Sequence, residues 1–188
     1  MLSIELTKQD KQQLLDIARA SIATGLKSKQ PLKPNIDNYP PHLQQNAATF
    51  VTLNINHQLR GCIGTLTAYQ PLVKDVAEHA FAAAFQDPRF PPLSQQEENL
   101  LDIHISILTP AEPVEFFSED DLINKIEPGI DGLILESGTH KGTFLPSVWE
   151  SLPGAKEFIE QLKLKAGLPK NYWNKNIKIS RYKTISIP

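Results

Sequence analysis

Leu14, Leu15, Ala18, Ile22 and Leu26 recur at helical spacing and predict a helix from about Thr7 to Leu26 with one apolar face. Thr7 and Asp10 stand at capping-box spacing at its start, and Gly25 lies near its expected end. Periodicity then disappears from Ser28 to Ala47, where four prolines fall in twenty residues. This stretch (28–47) predicts a surface connection and not a linker between independent domains, because the preceding helix is too small to fold alone. In "TFVTLNI", Thr49, Val51, Leu53 and Ile55 alternate with Phe50, Thr52 and Asn54, the period of a strand. Asn56-His57 suits a tight turn, which makes "QLRGCIGTL" the returning strand of a hairpin.

A helix follows from Pro71 to about Phe85, with proline at the first position, where no helical amide bond is lost. "FQDPRFPPL" breaks it, and Ser94 with Glu97 caps a short helix. "DIHISIL" is a strand with Ile103, Ile105 and Ile107 on one face. Ser118 and Asp121 repeat the capping spacing before "LINKI", and Gly129 is expected to end that helix. "GLILE", a turn at "SGTHKG" and "TFLP" predict a second hairpin. A helix from about Gly154 to Ala166 buries Phe158, Ile159 and Leu162 and stops at Gly167, with Pro169 after it. "NIKISRYKTISI" supplies one or two closing strands.

Hairpins adjacent in sequence, interleaved with helices, predict an α+β fold with a mainly antiparallel sheet over a doubly wound parallel one. The hairpin-then-helix order occurs twice and points to an internal duplication without repeated sequence. A chain of 188 residues suits one domain, 1–188, with a sizeable core. Formal net charge is −2, so no global basic field draws the chain to nucleic acid or anionic membrane. One cysteine cannot form an internal disulfide, which fits a reducing compartment. "MLSIELTKQD" lacks a basic head followed by an apolar stretch, and the longest strongly apolar run, "AFAAAF", is far below the ~20 residues that cross a bilayer. The expected location is the cytoplasm.

The single cysteine, Cys62, lies in the returning strand between Gly61 and Gly64 and two residues from Arg60. Strict alternation puts Leu59, Gly61 and Ile63 on one face and Arg60 with Cys62 on the other. A guanidinium so placed favours the thiolate, and glycines without Cβ atoms leave backbone amides open to a small anionic or carbonyl-bearing molecule. The bland alternative stands beside it: free cysteine is a common core residue, and glycine in a strand often marks only a bulge.

"DPRFPPL" places Asp87 and Arg89 on a stiff loop, with Phe90 and Leu93 as its anchors. A turn-capping aspartate with an arginine paired at the surface reads the same residues structurally. Asp102, His104 and Ser106 share a strand face, but residues two apart are ~6.5–7 Å from one another, too far for a serine triad. His104 meets Cys62 only if their strands are neighbours. No metal-ligand spacing occurs among the five histidines and the one cysteine, so no intrinsic metal site and no cofactor are expected. "GTHKGT" lacks P-loop spacing. Seven of the 19 basic residues fall between Lys163 and Lys183, interleaved with Tyr172, Trp173 and Tyr182. That pattern could grip nucleic acid, but a solvated lysine-bearing surface is the preferred explanation.

"LRGCIGTL" resembles the signature of the AMMECR-one domain family, and "FQDPRFPPL", "ISILTP", "GIDGLILE", "GTFLPSVWE" and "LKAGLP" are similar to its later blocks in the same order. Bacterial members are also called AmmeMemoRadiSam system protein A, after a Memo-like protein and a radical S-adenosylmethionine enzyme. The resemblance implies an α+β fold with a larger and a smaller lobe and two intertwined repeats around a barrel-like sheet. It implies those two companion proteins as partners, and it carries no settled reaction. Arg60, Gly61, Cys62, Gly64, Asp87, Arg89, Phe90 and Pro91 occupy motif positions, whereas His104 does not. "ESLPGAKEF", after Trp149, is shorter than the family pattern.

Two functions compete. In the first, Cys62 is the nucleophile or covalent anchor of an enzyme or enzyme-like pathway component, Arg60 stabilises charge, and Gly61, Gly64, Asp87 and Arg89 bind a small anionic or carbonyl substrate. In the second, the chain is a non-catalytic scaffold for protein partners or nucleic acid, and Cys62 is buried.

Overall fold

In the computed structural model, which describes residues 5–188, the hydroxyl of Thr7 accepts the amide of Asp10 and the Asp10 carboxylate returns to the Thr7 amide. This capping box opens α1 (Lys8–Ser28), which runs two residues past the predicted end and stops where Lys29 turns left-handed. Gly25 therefore does not cap the helix. A Cβ there would come within 2.7 Å of the Phe81 ring, so glycine is needed for close packing on the next helix. Residues 28–47 form two 3-10 turns, Ile36–Asn38 capped by the Asn35 side chain and Pro41–Leu43 begun by Pro40 and Pro41, and the connection drops Leu43 fully into the core.

β1 (Ala48–Ile55) and β2 (Gln58–Gly64) form the first hairpin, with Asn56 and His57 both at positive φ as a tight two-residue turn requires. α2 (Leu72–Phe85) and β3 (Asp102–Leu108) follow, and β8 (Thr184–Ile187) completes a four-stranded sheet of order β2-β1-β3-β8. Val51, Leu53, Ile103, Ile105 and Ile107 face Leu14, Ala18 and Ile22 of α1 and Val73, Val76 and Ala80 of α2 in one core. Each large aliphatic side chain so enclosed contributes about 1.5–3 kcal/mol, so this face fixes the hairpin's register.

Residues 109–184 form a second compact unit. It holds β4 (Glu112–Val114), α3 (Glu119–Lys125), the hairpin β5 (Gly132–Ser137) and β6 (His140–Phe144), α4 (Ala155–Lys165) and β7 (Lys178–Tyr182). Its sheet has the order β4-β7-β5-β6. Leu133, Leu135, Phe158, Ile159, Leu162 and Ile179 make its core, where the Trp149 indole stacks on Phe158 at 3.7 Å. Lys163 is wholly buried, with Nζ 2.6 Å from the Glu119 carboxylate and 5.5 Å from the centre of the Trp173 ring, and Tyr182 is buried as well. Two members of the basic and aromatic series that could have gripped nucleic acid are therefore core residues.

The α+β class holds, and the duplication is visible in the topology. β1-β2-α2-β3 and β5-β6-α4-β7 share one order, and in each sheet the third strand pairs with the first strand of its hairpin. The fourth strands are exchanged: β4 follows β3 in the chain but pairs with β7, and β8 follows β7 but joins β3. "NIKISRYKTISI" thus gives two strands that part at Lys183 into different sheets. Strand β4 has no clear period in sequence because it is three residues long and contains Pro113, which an edge strand tolerates.

Candidate functional site

β2 is an edge strand, and its register breaks at one residue. Cys62 lies opposite Thr52 and Gly61 opposite Leu53, but Leu59 lies opposite Asn54, so Arg60 is the extra residue of a bulge. The bulge overturns the strict alternation that would stand Arg60 beside Cys62. Leu59 is 43% exposed instead of buried, and Arg60 is buried. Its guanidinium donates to Glu97 (Nε to Oε1, 2.7 Å; Nη2 to Oε2, 3.3 Å) and to the Pro91 carbonyl at 2.9 Å. The Phe90 ring lies beside it, 5.9 Å away. Arg60, backed by the Ser94 amide, holds the Glu97 carboxyl down to about 2. The buried Nη1 of Arg60 has no hydrogen-bond partner among the described residues.

Asp87 and Arg89 clamp the outer edge of β2 at Cys62. The Cys62 amide donates to Asp87 Oδ2 at 2.9 Å, and Arg89 Nη2 donates to the Cys62 carbonyl at 3.3 Å. Arg89 also grips the Asp87 carboxylate, with Nη2 at 2.7 Å from Oδ2 and Nε at 2.9 Å from Oδ1. Asp87 is almost fully buried, and the Arg89 side chain is 54% exposed. Hydrogen bonding from Arg89, helped by the Cys62 amide, holds the Asp87 carboxyl well below the usual carboxylate range. In return Asp87 raises Arg89, and the Cys62 sulfur acts on it in the same direction.

The thiol is half-buried, and Sγ lies 3.2 Å from Thr52 Oγ1. That approach suits a non-hydrogen-bonded cross-strand pair, where side chains are closest. Across β1, Thr52 is opposite His104 on β3. Cys62, Thr52 and His104 therefore form a row over three strands, and β1 separates the thiol from the imidazole. His104 Nε2 reaches Asp102 Oδ2 at 3.0 Å, so side chains two apart on this strand do bridge the backbone spacing.

The glycines serve packing. A Cβ on Gly61 would overlap the Ala83 carbonyl of α2, and one on Gly64 would overlap the Thr49 carbonyl and the Phe50 ring. The room that sequence left for a ligand at these two positions is filled by the protein itself.

The pattern of the sequence did not single out the buried cluster of Asp75, Thr49 and His79. Asp75 Oδ2 accepts the Thr49 amide at 2.9 Å and the Thr49 hydroxyl at 2.6 Å, and the His79 ring lies 3.1 Å from both partners. Asp75 and His79 are one helical turn apart on α2, on the face that also carries the apolar core residues Leu72 and Val76, and that was the available signal. Among the described residues no group of three metal-ligating side chains converges, and no helix is long and apolar enough to cross a membrane.

A family model described as AMMECR1 matches residues 15–187. A protein of Methanothermobacter thermautotrophicus is 38% identical over 87% of this chain and 85% of its own length. Protein MJ0810 of Methanocaldococcus jannaschii is 37% identical over 88% of this chain and 83% of its own. The crystal structure of the uncharacterized protein PH0010 from Pyrococcus horikoshii superposes with a TM-score of 0.90 at 34% identity, covering 97% of this chain and 93% of that one.

Proposed function

The chain belongs to the AMMECR1 family, and on that premise we propose that it captures a small carbonyl-bearing or anionic molecule at the Cys62 thiol, as an enzyme or an enzyme-like component of a pathway. The observation that carries this reading is the pairing of a half-buried thiol with a half-exposed guanidinium tethered to the thiol's own backbone: Arg89 Nη2 lies 3.3 Å from the Cys62 carbonyl. Arg89, rather than Arg60, is then the charge stabiliser, and Thr52 is the hydrogen-bonding partner of sulfur. With a carbonyl substrate, the thiolate pair forms the C–S bond while the carbonyl π pair moves to oxygen, where the guanidinium meets the new charge. Arg60 and Asp87 hold the frame. Gly61 and Gly64 let α2 and β1 approach it.

Iodoacetamide labelling of the native protein at pH 7 tests this. Wild type and Arg89→Lys label at comparable rates, and Arg89→Gln labels several-fold more slowly. Failure of the folded wild type to react, or equal rates in all three proteins, refutes the nucleophile.

A second reading, a non-catalytic module for protein partners, is favoured by the internal pairing of Arg60 with Glu97 and of Asp87 with Arg89. Its partners would be the Memo-like and radical S-adenosylmethionine proteins. Pull-down of these two with wild type and Cys62→Ser separates the readings: assembly that survives the substitution, with no turnover in either protein, supports the module.

A further inference from the structure

Away from Cys62, Pro31, Leu32, Lys33 and Pro34 line a pocket of about 310 Å³ together with Lys74 and Glu78 of α2. Its wall is pinned. The Leu32 amide donates to Ser21 Oγ of α1 at 3.1 Å, and the same hydroxyl donates to the Ala77 carbonyl of α2 at 2.6 Å. Two prolines stiffen the segment further. The wall is therefore fixed by hydrogen bonds of the fold itself.

Its charges are unbalanced. Lys74 and Glu78 are one helical turn apart and would ordinarily pair. Glu78 Oε2 is instead drawn away by Gln70 Nε2 at 2.7 Å, with the Tyr69 hydroxyl at 3.4 Å. Lys74 is half-buried, and neither it nor Lys33 has an ion-pair or hydrogen-bond partner among the described residues. Exposed Lys33 and half-buried Lys74 thus line one pocket with an apolar wall of Pro31, Leu32 and Pro34, and the Glu78 carboxylate that also lines it is hydrogen-bonded to the neutral Gln70 and Tyr69 side chains.

We propose that this pocket binds a small organic carboxylate with an apolar body, the carboxylate between Lys33 and Lys74 and the body against Pro31, Leu32 and Pro34. The proposal does not depend on the thiol. A ligand of about eleven heavy atoms held by two ammonium groups would have a dissociation constant on the order of 1 mM.

Titration of the labelled full chain with 3-phenylpropionate, followed by amide chemical shifts, is the test. Saturable shifts are expected at Leu32, Lys33, Lys74 and Glu78, with unchanged affinity in Cys62→Ser. The double variant Lys33→Gln/Lys74→Gln, altered at side chains that hold nothing in the fold, should bind at least fivefold more weakly. The neutral 3-phenylpropanol should bind at least fivefold more weakly to wild type. Absence of saturable shifts, equal binding of acid and alcohol, undiminished affinity in the double variant, or shifts centred on Cys62 would each overturn the assignment.

Discussion

The carboxylate of Asp87 accepts the backbone amide of Cys62 at 2.9 Å, so a loop side chain stands where the next strand of the sheet would otherwise pair. With Arg89 on the Cys62 carbonyl, the pair closes an edge that would present unpaired donors and acceptors. Asp87→Ala removes the acceptor and leaves Arg89 unmatched, at a cost of about 2–4 kcal/mol. Asp87→Asn keeps an acceptor and costs less. Urea unfolding should rank wild type above Asp87→Asn above Asp87→Ala, and hydrogen exchange at the Cys62 amide should accelerate in the same order.

The Arg60–Glu97 pair makes stability depend on acid. Glu97 titrates at about 2 in the folded protein, against 4.5 for the free side chain. A carboxylate lowered by folding gives its full contribution above the unfolded value and loses it as pH falls through the folded one. The window therefore runs from about 4.5 down to about 2. Glu97 keeps 30% exposure, so solvent screening limits the contribution to about 1–2 kcal/mol. Urea midpoints from pH 6 to pH 2 should show wild type above Glu97→Gln at the top and the two converging at the bottom.

Gly61 and Gly142 occupy matching places in the two hairpins, opposite Leu53 and Leu135. Gly61→Ala pushes a methyl group into the Ala83 carbonyl, which is backbone and cannot rotate aside, and should cost about 3 kcal/mol or more. At Gly142 the nearest atom is the Ala166 amide nitrogen at 3.0 Å, so Gly142→Ala should cost about 1 kcal/mol. Guanidinium melts of the two variants check the order, and equal losses would contradict it.

Asp75 is wholly buried and satisfies two donors of Thr49 and the Gln70 side-chain amide. Asp75→Ala strands those groups and should cost about 3–5 kcal/mol. Thr49→Val keeps the amide bond and removes only the hydroxyl, at about 1–2 kcal/mol. Differential scanning calorimetry of the two variants gives the comparison.

The periodic parts of the chain were legible. The capping box at Thr7, the isoleucines of β3, the turn at Asn56-His57 and both hairpins follow from short-range patterns that the structure keeps. Arg60 shows where legibility ends. A single inserted residue shifts every later parity on a strand, and Gly61 beside Arg60 marks a bulge without telling which residue it inserts. Its partner Glu97 lies 37 positions away, and its spacing from Ser94 points only to the cap of a short helix. The Ser94 contacts of that cap do form, through the carboxylate that also holds Arg60. The glycines were visible as special positions, but whether a ligand or a helix fills the space beside them depends on tertiary packing.

The exchange of fourth strands orders events during synthesis. β8 leaves the ribosome after the seven other strands, yet it belongs to the sheet whose hairpin emerges first. Until then the outer flank of β3 lacks its neighbour, open to any extended peptide nearby. The two repeats are thereby bound to mature together, and a nascent chain released early keeps a sticky border where the finished one has a hem.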